Sequence, residues 1–221
     1  MKKEKKESRS EILEQLCWDS SVDTKNIKVQ EQEGKIRLTG TVPFYINRVS
    51  AFRDALNAAH GQPIINDLTV DFPRDVPLPP DEMLEANIRD IVNLLSWVDG
   101  EKIKVRVARR LVYLTGQTQF LWQKVRLERT IGDFKGVAGI MNDIEVKPGM
   151  DLSDNRIARD LVESLYRING LDPTNIGVNV INGRVFLEGT VRDSLEMMGV
   201  LRTTELTRGV TDVINDLRIQ P

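Results

Sequence analysis

Seven residues recur three times along the chain with little change: IINDLTV at 64–70, IMNDIEV at 140–146 and VINDLRI at 213–219. Two further motifs travel with them. One reads IRLTGTV at 36–42, VYLTGQT at 112–118 and VFLEGTV at 185–191. The other reads IKVQ at 27–30, IKVRV at 103–107 and IGVNV at 176–180. Anchored on Gly40, Gly116 and Gly189, the copies lie 76 and 73 residues apart. Asn66, Asn142 and Asn215 keep those two offsets, as do Ile27, Ile103 and Ile176. Every change of length therefore falls between copies and none inside one. A packed unit cannot change length internally without shifting its strand register, so the pattern predicts three folded units in tandem. Length alone suggests one or two domains for 221 residues; the repeat makes it three small ones.

Each copy reads helix, strand, strand, helix, strand. The opening segments SEILEQLCW, DEMLEANIRDIVNLLSW and DNRIARDLVESLY space their apolar residues helically, as with Leu84, Ile88, Ile91, Val92 and Leu95 in the second copy. The next two segments alternate: Ile27 and Val29 oppose Lys28 and Gln30, and Ile36 and Leu38 oppose Arg37 and Thr39. EQEGK and INGR join them through Gly34 and Gly183, where a positive φ is expected; VARR has Arg110 there and needs another solution. A second helix is predicted over about 44–60, 120–135 and 193–208, with Ile46/Val49, Trp122/Val125 and Leu195/Met198 on its core face. In the closing strand, Asn66, Asn142 and Asn215 face inward, where a short amide can bond nearby backbone. Gly40, Gly116 and Gly189 also face inward, which implies a helix crossing close above them. The expected fold class is α+β: three tandem small α/β sandwiches, each with two helices packed on a three-stranded sheet.

This unit, with I-x-V, then V-x-L-x-G-x-V, then V-x-N-x-L-x-V, resembles the BON domain. The resemblance divides the chain into a flexible charged tail at 1–9, repeats at 10–72, 82–147 and 153–220, and linkers at 73–81 and 148–152. It is also similar to OsmY-related bacterial proteins built from three such units. The resemblance implies a non-enzymatic module of osmotic-stress or envelope protection that binds phospholipid membranes, with small-ligand or ion binding in some members. Gln117 and Thr118 depart from the pattern in the second copy, as does His60 in the first, where the other copies have Gly136 and Gly209.

Composition narrows the chemistry. A net charge of −2 argues against a general nucleic-acid binder. With one cysteine, Cys17, and one histidine, His60, neither an internal disulfide nor a Cys/His zinc cluster can be assembled. No phosphate-cradling glycine motif occurs, so no cofactor is implied. Cys17 lies in an apolar helical stretch, where a buried inert thiol is expected, and His60 ends a helix; the two are not expected to form a catalytic pair. The opening MKKEKKESRS lacks the apolar region of a signal peptide, and no run approaches a membrane span. The expected location is cytoplasmic, or periplasmic if the native start is missing.

Three triplicated or clustered features are candidates for function. Asp23, Asp99 and Asp172 each precede a first strand by four residues and are expected to form turns. Arg53, Arg129 and Arg202 recur on the second helix, where they could hold anionic head groups; pairing with an acid of the same unit is the favoured reading. Membrane contact calls for apolar or aromatic side chains beside positive charge. The best lipid-facing candidate is the second copy: Trp97, expected to be accessible, with Lys102, Lys104, Arg106, Arg109 and Arg110, and Trp18 as a lesser contributor from the first. The alternative for these residues is a solvated polar sheet face. Lysines 2, 3, 5 and 6 could add attraction to an anionic surface.

The Pro-rich segment FPRDVPLPPDE predicts a semi-rigid spacer that holds the first unit apart, whereas the shorter KPGMDLSD lets the second and third touch. Open sheet edges offer a route to homo-oligomers. The expected function is peripheral association with anionic phospholipid, against two rivals: cytoplasmic small-ligand or cation binding (potassium, for example), and a protein–protein scaffold.

Overall fold

A computed structural model describes residues 2–18, 24–32, 34–59, 62–149 and 152–220, with side chains from Ser10 onward. Its described elements run α1 (Lys2–Trp18), β1 (Ile27–Gln32), β2 (Lys35–Val42), α2 (Tyr45–Ala58) and β3 (Ile64–Val70) in the first repeat. The second has α3 (Asp81–Leu94), β4 (Ile103–Ala108), β5 (Leu111–Thr118), α4 (Leu121–Gly132) and β6 (Gly139–Val146). The third has α5 (Asp154–Leu165), β7 (Ile176–Ile181), β8 (Arg184–Val191), α6 (Ser194–Leu206) and β9 (Asp212–Ile219). Each repeat is thus two helices and one three-stranded sheet, ordered β1-β2-β3, β4-β5-β6 and β7-β8-β9. Helix α1 reaches back to Lys2, through the segment expected to be a tail. Lys and Glu are good helix formers, and no Gly or Pro interrupts them there.

Strand pairing explains why the motif spacings never change. β1 runs antiparallel to β2 and sets Ile27 opposite Gly40; β3 runs parallel to β2 and sets Asn66 opposite Leu38. The third repeat repeats both, with Ile176 opposite Gly189 and Asn215 opposite Leu187. The three motifs are cross-strand neighbours, so an inserted residue would move every side chain to the wrong face.

The motif glycines have a different cause from the expected overlying helix. A Cβ at Gly40, Gly116 or Gly189 would lie 1.8, 1.9 or 2.0 Å from the carbonyl oxygen of Asn26, Lys102 or Asn175, in the 3-10 turn that feeds the first strand. Their φ angles of +115°, +127° and +119° are also ones that only glycine adopts readily. The asparagines tie the closing strand to the second helix. Asn66 accepts from Leu68 N (3.2 Å) and donates to the Arg48 carbonyl (3.2 Å). Asn142 accepts from Ile144 N and donates to the Lys124 carbonyl, while Asn215 accepts from Leu217 N and reaches the Met197 sulfur.

The VARR hairpin solves its missing glycine with two positive-φ arginines, Arg109 (50°) and Arg110 (62°), as Asn182 and Gly183 do in the third repeat. An aspartate opening the repeat's first helix holds each turn. Asp154 accepts from Asn182 N and Gly183 N, and Asp81 accepts from Arg110 N.

The largest correction concerns the second helix. Ile46, Val49, Leu195 and Met198 are exposed, not core. The buried positions of α2 are Asn47, Ser50, Ala51, Asp54 and Ala55; those of α6 are Glu196, Met197, Val200 and Thr204. In α2 only small and polar side chains occupy the inward face, so apolar spacing points to the opposite one; in α6 the inward apolar residues are Met197 and Val200 rather than the expected Leu195 and Met198.

The chain divides into two compact units. The first joins repeat one to Val107–Val112 and Thr130–Met141 of repeat two; the second joins repeat three to Asn87–Arg106 and Tyr113–Arg129 of repeat two. Within the first, the proline segment is pinned rather than a spacer: the Pro79 carbonyl accepts from Arg110 Nη1 (3.2 Å), whose guanidinium lies 5.5 Å from the Phe72 ring centre. In the same unit the Tyr45 ring comes within 3.0 Å of where a Cβ on Gly132 would stand. In the second unit, Leu121 is buried in the third repeat's core and Val125 packs against it.

Candidate functional site

The structure gathers some of the predicted site residues and scatters the rest. Trp97 and Lys102 share a cleft of about 440 Å³ with Asp99, Gln117, Gln119, Gln123 and Lys147. Trp97 is half-buried rather than accessible: its ring centre lies 5.7 Å from that of Trp122, and the Arg126 guanidinium sits over it at 4.8 Å. An indole offers a large apolar face with an electron-rich surface, so a ring and a cation cover it better than water does. Lys102 pairs with Asp99 at 2.8 Å, and their mutual hydrogen bond raises the lysine's pKa and lowers the aspartate's. Lys104 and Arg106 are exposed on β4, on the opposite face from the buried Ile103 and Val105. Arg109 and Arg110 belong to the first unit and serve the hairpin. Trp18, at the end of α1, is 83% exposed.

The other sequence candidates are structural or exposed. Asp172 caps its 3-10 turn, accepting from Thr174 N and from the Thr174 hydroxyl, and these bonds lower its pKa. Cys17 is exposed, not buried, because Ile12 and Leu16 turn inward and the next position faces out; its sulfur stands 3.6 Å from the Thr24 hydroxyl. His60 and Asp23 lie outside the described residues. Among the described residues no group of three or more metal-capable side chains forms.

What sequence reasoning missed lies on the outward face of the second helices. Ile46, Val49 and Arg53 fall on one stripe of α2; Trp122, Val125 and Arg129 repeat it on α4, and Leu195, Met198 and Arg202 on α6. Both halves of the signal were visible, but the apolar half was assigned to the core and so was never joined to the arginine. In the second unit, Trp122, Val125, Arg126, Arg129, Arg202, Glu205 and Leu206 line a cleft of about 360 Å³. Arg129 pairs with Glu205 at 3.9 Å, so its acid comes from the third repeat and not from its own. Arg53, by contrast, pairs with Asp54 of its own helix at 3.8 Å.

Three guanidiniums, those of Arg126, Arg129 and Arg202, thus share a cleft with one carboxylate, and the charges of Arg129 and Arg202 act on it. Burial pushes the Glu205 carboxyl above the usual range, and Arg129 and Arg202 offset part of that rise. The rings of Phe120 and Trp122 stack at 6.3 Å, and Trp122 in turn touches Trp97. The result is an aromatic cluster with lysines on one side, arginines on the other and an excess of positive charge. Such a surface can hold an oxyanion by charge-assisted hydrogen bonds while its rings take an apolar neighbour.

The BON domain is matched over residues 5–71, 80–148 and 153–221. A protein of Anaplasma centrale, described as an uncharacterized protein in the gshII 5' region, is 26% identical over 123 residues, 53% of this chain and 82% of that protein. Among solved structures, the C-terminal domain of CdsD, a structural protein of the type III secretion system of Chlamydia trachomatis, aligns over 96% of both chains at 14% identity and a TM-score of 0.28. A second CdsD structure gives the same TM-score over 91% of its own length. At that score the likeness bears no weight for fold or function. No described helix is long and apolar enough to cross a membrane.

Proposed function

Because this chain belongs to the BON-domain family, as a tandem of three such domains, we propose that it is a non-enzymatic module that associates peripherally with anionic phospholipid surfaces. The carrying observation is a cleft that brings Arg126, Arg129 and Arg202 together with the single carboxylate of Glu205, which only Arg129 pairs with directly, beside Trp122 and the exposed Leu206. Guanidiniums bond phosphate oxygens in pairs, an indole sits well at the headgroup level, and a bare leucine can enter the acyl boundary. Each cation near such a surface contributes up to about 1 kcal/mol, so a few arginines give weak, salt-sensitive attachment and not irreversible anchoring.

The test is vesicle co-sedimentation of the full chain with phosphatidylcholine alone or mixed with phosphatidylglycerol, at low and high salt. Binding should appear only with the anionic lipid and fade with salt. Arg129→Gln with Arg202→Gln should weaken it roughly tenfold or more, as loss of about two surface cations implies. Sedimentation with neither vesicle would sink the reading. Inorganic phosphate that stabilises the chain thermally without vesicle binding would replace lipid with a small soluble anion.

A further inference from the structure

The arginine of the second helix is repeated in every copy, as Arg53, Arg129 and Arg202, but the carboxylate in its cleft is not. At the offsets set by the motif glycines, the positions equivalent to Glu205 are Gly132 and Leu56. The repeat fold therefore does not require an acid there. Something other than the packing of the unit must account for this one.

Its placement is that of an internal anion. The Arg129 side chain is 73% exposed and that of Glu205 21%, with 3.9 Å between Nη2 and Oε1. The guanidinium thus stands toward solvent and the carboxylate is the more sheltered partner. At that separation the two attract without a hydrogen bond, so a phosphate arriving from solvent can approach the guanidinium more closely. Arg202 precedes Glu205 by three residues on α6, and Arg126 lines the same cleft from α4. Among the described residues that line the cleft, these three arginines are the only other charged groups.

Two charge states follow. Ionised, Glu205 offsets one of three positive charges and repels an incoming phosphate. Protonated, it leaves the arginines uncompensated and offers a hydroxyl that can donate to a phosphate oxygen. Partial burial keeps the proton in place to a higher pH than on an exposed carboxyl, against the pull of Arg129 and Arg202.

We propose that Glu205 gates the anionic-lipid site: it engages Arg129 as an internal counter-anion, and its protonation releases the arginine to a headgroup phosphate, so that attachment strengthens in mild acid. This rests on the lipid reading above and names the regulation of that site. By linkage, a bound phosphate favours the proton on Glu205 by the same factor as the proton favours the phosphate.

Vesicle co-sedimentation of the full chain with phosphatidylglycerol in phosphatidylcholine, at low salt and from neutral pH down to about pH 5, tests this. The lipid phosphodiester keeps its charge over that range. Wild type should bind more tightly as the pH falls. At neutral pH, Glu205→Gln should bind about fivefold more tightly than wild type, the effect of one charge near such a surface, and should lose most of the pH response. Glu205→Ala removes the same carboxylate and should behave alike. The control is Asp216→Asn, an equal change of charge at an exposed position of β9, on the sheet face opposite the buried Leu217. It should leave affinity within about twofold of wild type and keep the acid response. Parallel profiles for wild type and both Glu205 variants would overturn the gate and leave membrane attachment standing. An equal gain from Asp216→Asn would do the same, since net charge alone would then explain it. Attachment of none of these proteins to any vesicle would sink both readings.

Discussion

Helices α4 and α6 carry the same outward stripe, Trp122–Val125–Arg129 in one and Leu195–Met198–Arg202 in the other. In α4 the stripe is engaged: Val125 packs on the third repeat's core and Arg129 reaches Glu205. In α6 the two apolar residues stand in solvent. Equivalent positions in equivalent folds thus have unlike roles, and the difference arises from the neighbour beside each helix. Burial of apolar area rewards a stripe only where a neighbour removes it from water. A mostly bare stripe contributes little to the stability of its own unit.

The comparison holds only if the two repeats share the same interior, and the motif glycine tests that with the largest effect. Gly116→Ala and Gly189→Ala should each cost about 3 kcal/mol or more, since each places a Cβ 2.0 Å or less from a backbone carbonyl oxygen in a left-handed region. Urea denaturation tracked by far-UV circular dichroism measures both. Near-normal stability for either alanine would mean that its repeat is built differently.

The stripe itself comes next. Leu121→Ala should lose about 2–4 kcal/mol because its side chain fills the third repeat's core. Leu195→Ala, on the exposed face, should change stability by no more than about 0.5 kcal/mol at a concentration where the chain is monomeric. Equal losses at the two sites would erase the contrast.

The smallest effect belongs to Glu205. Its carboxyl is raised in the folded chain, chiefly by burial, so the folded state binds that proton more tightly than the unfolded state does. The associated stability is fully present below the unfolded pKa and is lost as pH rises through the folded value. Glu205→Gln removes that loss, so the variant should melt slightly higher than wild type at neutral pH and show a flatter profile through the acid range. A lower melting temperature at neutral pH would show instead that the pair with Arg129 outweighs the burial of the charge.

Much of the fold was legible because strand pairing leaves a rigid record. Ile27 opposite Gly40 and Asn66 opposite Leu38 require constant spacings, and the same spacings in each copy mark one unit repeated. The second helix was legible as a helix but not in its orientation. Its inward face in α2 is Asn47, Ser50, Ala51, Asp54 and Ala55, so the larger apolar residues that periodicity assigns to the core lie outside. The candidate site suffered from the same inversion. Trp97 and Lys102 stand out in the sequence because they are locally conspicuous, whereas Arg129, Arg202 and Glu205 meet only across two repeats.

By itself, the sequence determined the number of repeats, their element order and the hairpin that joins the first two strands of each, because those are set by short-range periodicity and by lengths that packing forbids to vary. Tertiary structure alone decided which helix face is covered, whose acid pairs with Arg129, and why the glycines must be glycines. These depend on what stands within a few ångströms in space. A carbonyl oxygen at Lys102 or a neighbouring repeat beyond α4 leaves no mark on the residues it constrains until the chain is folded.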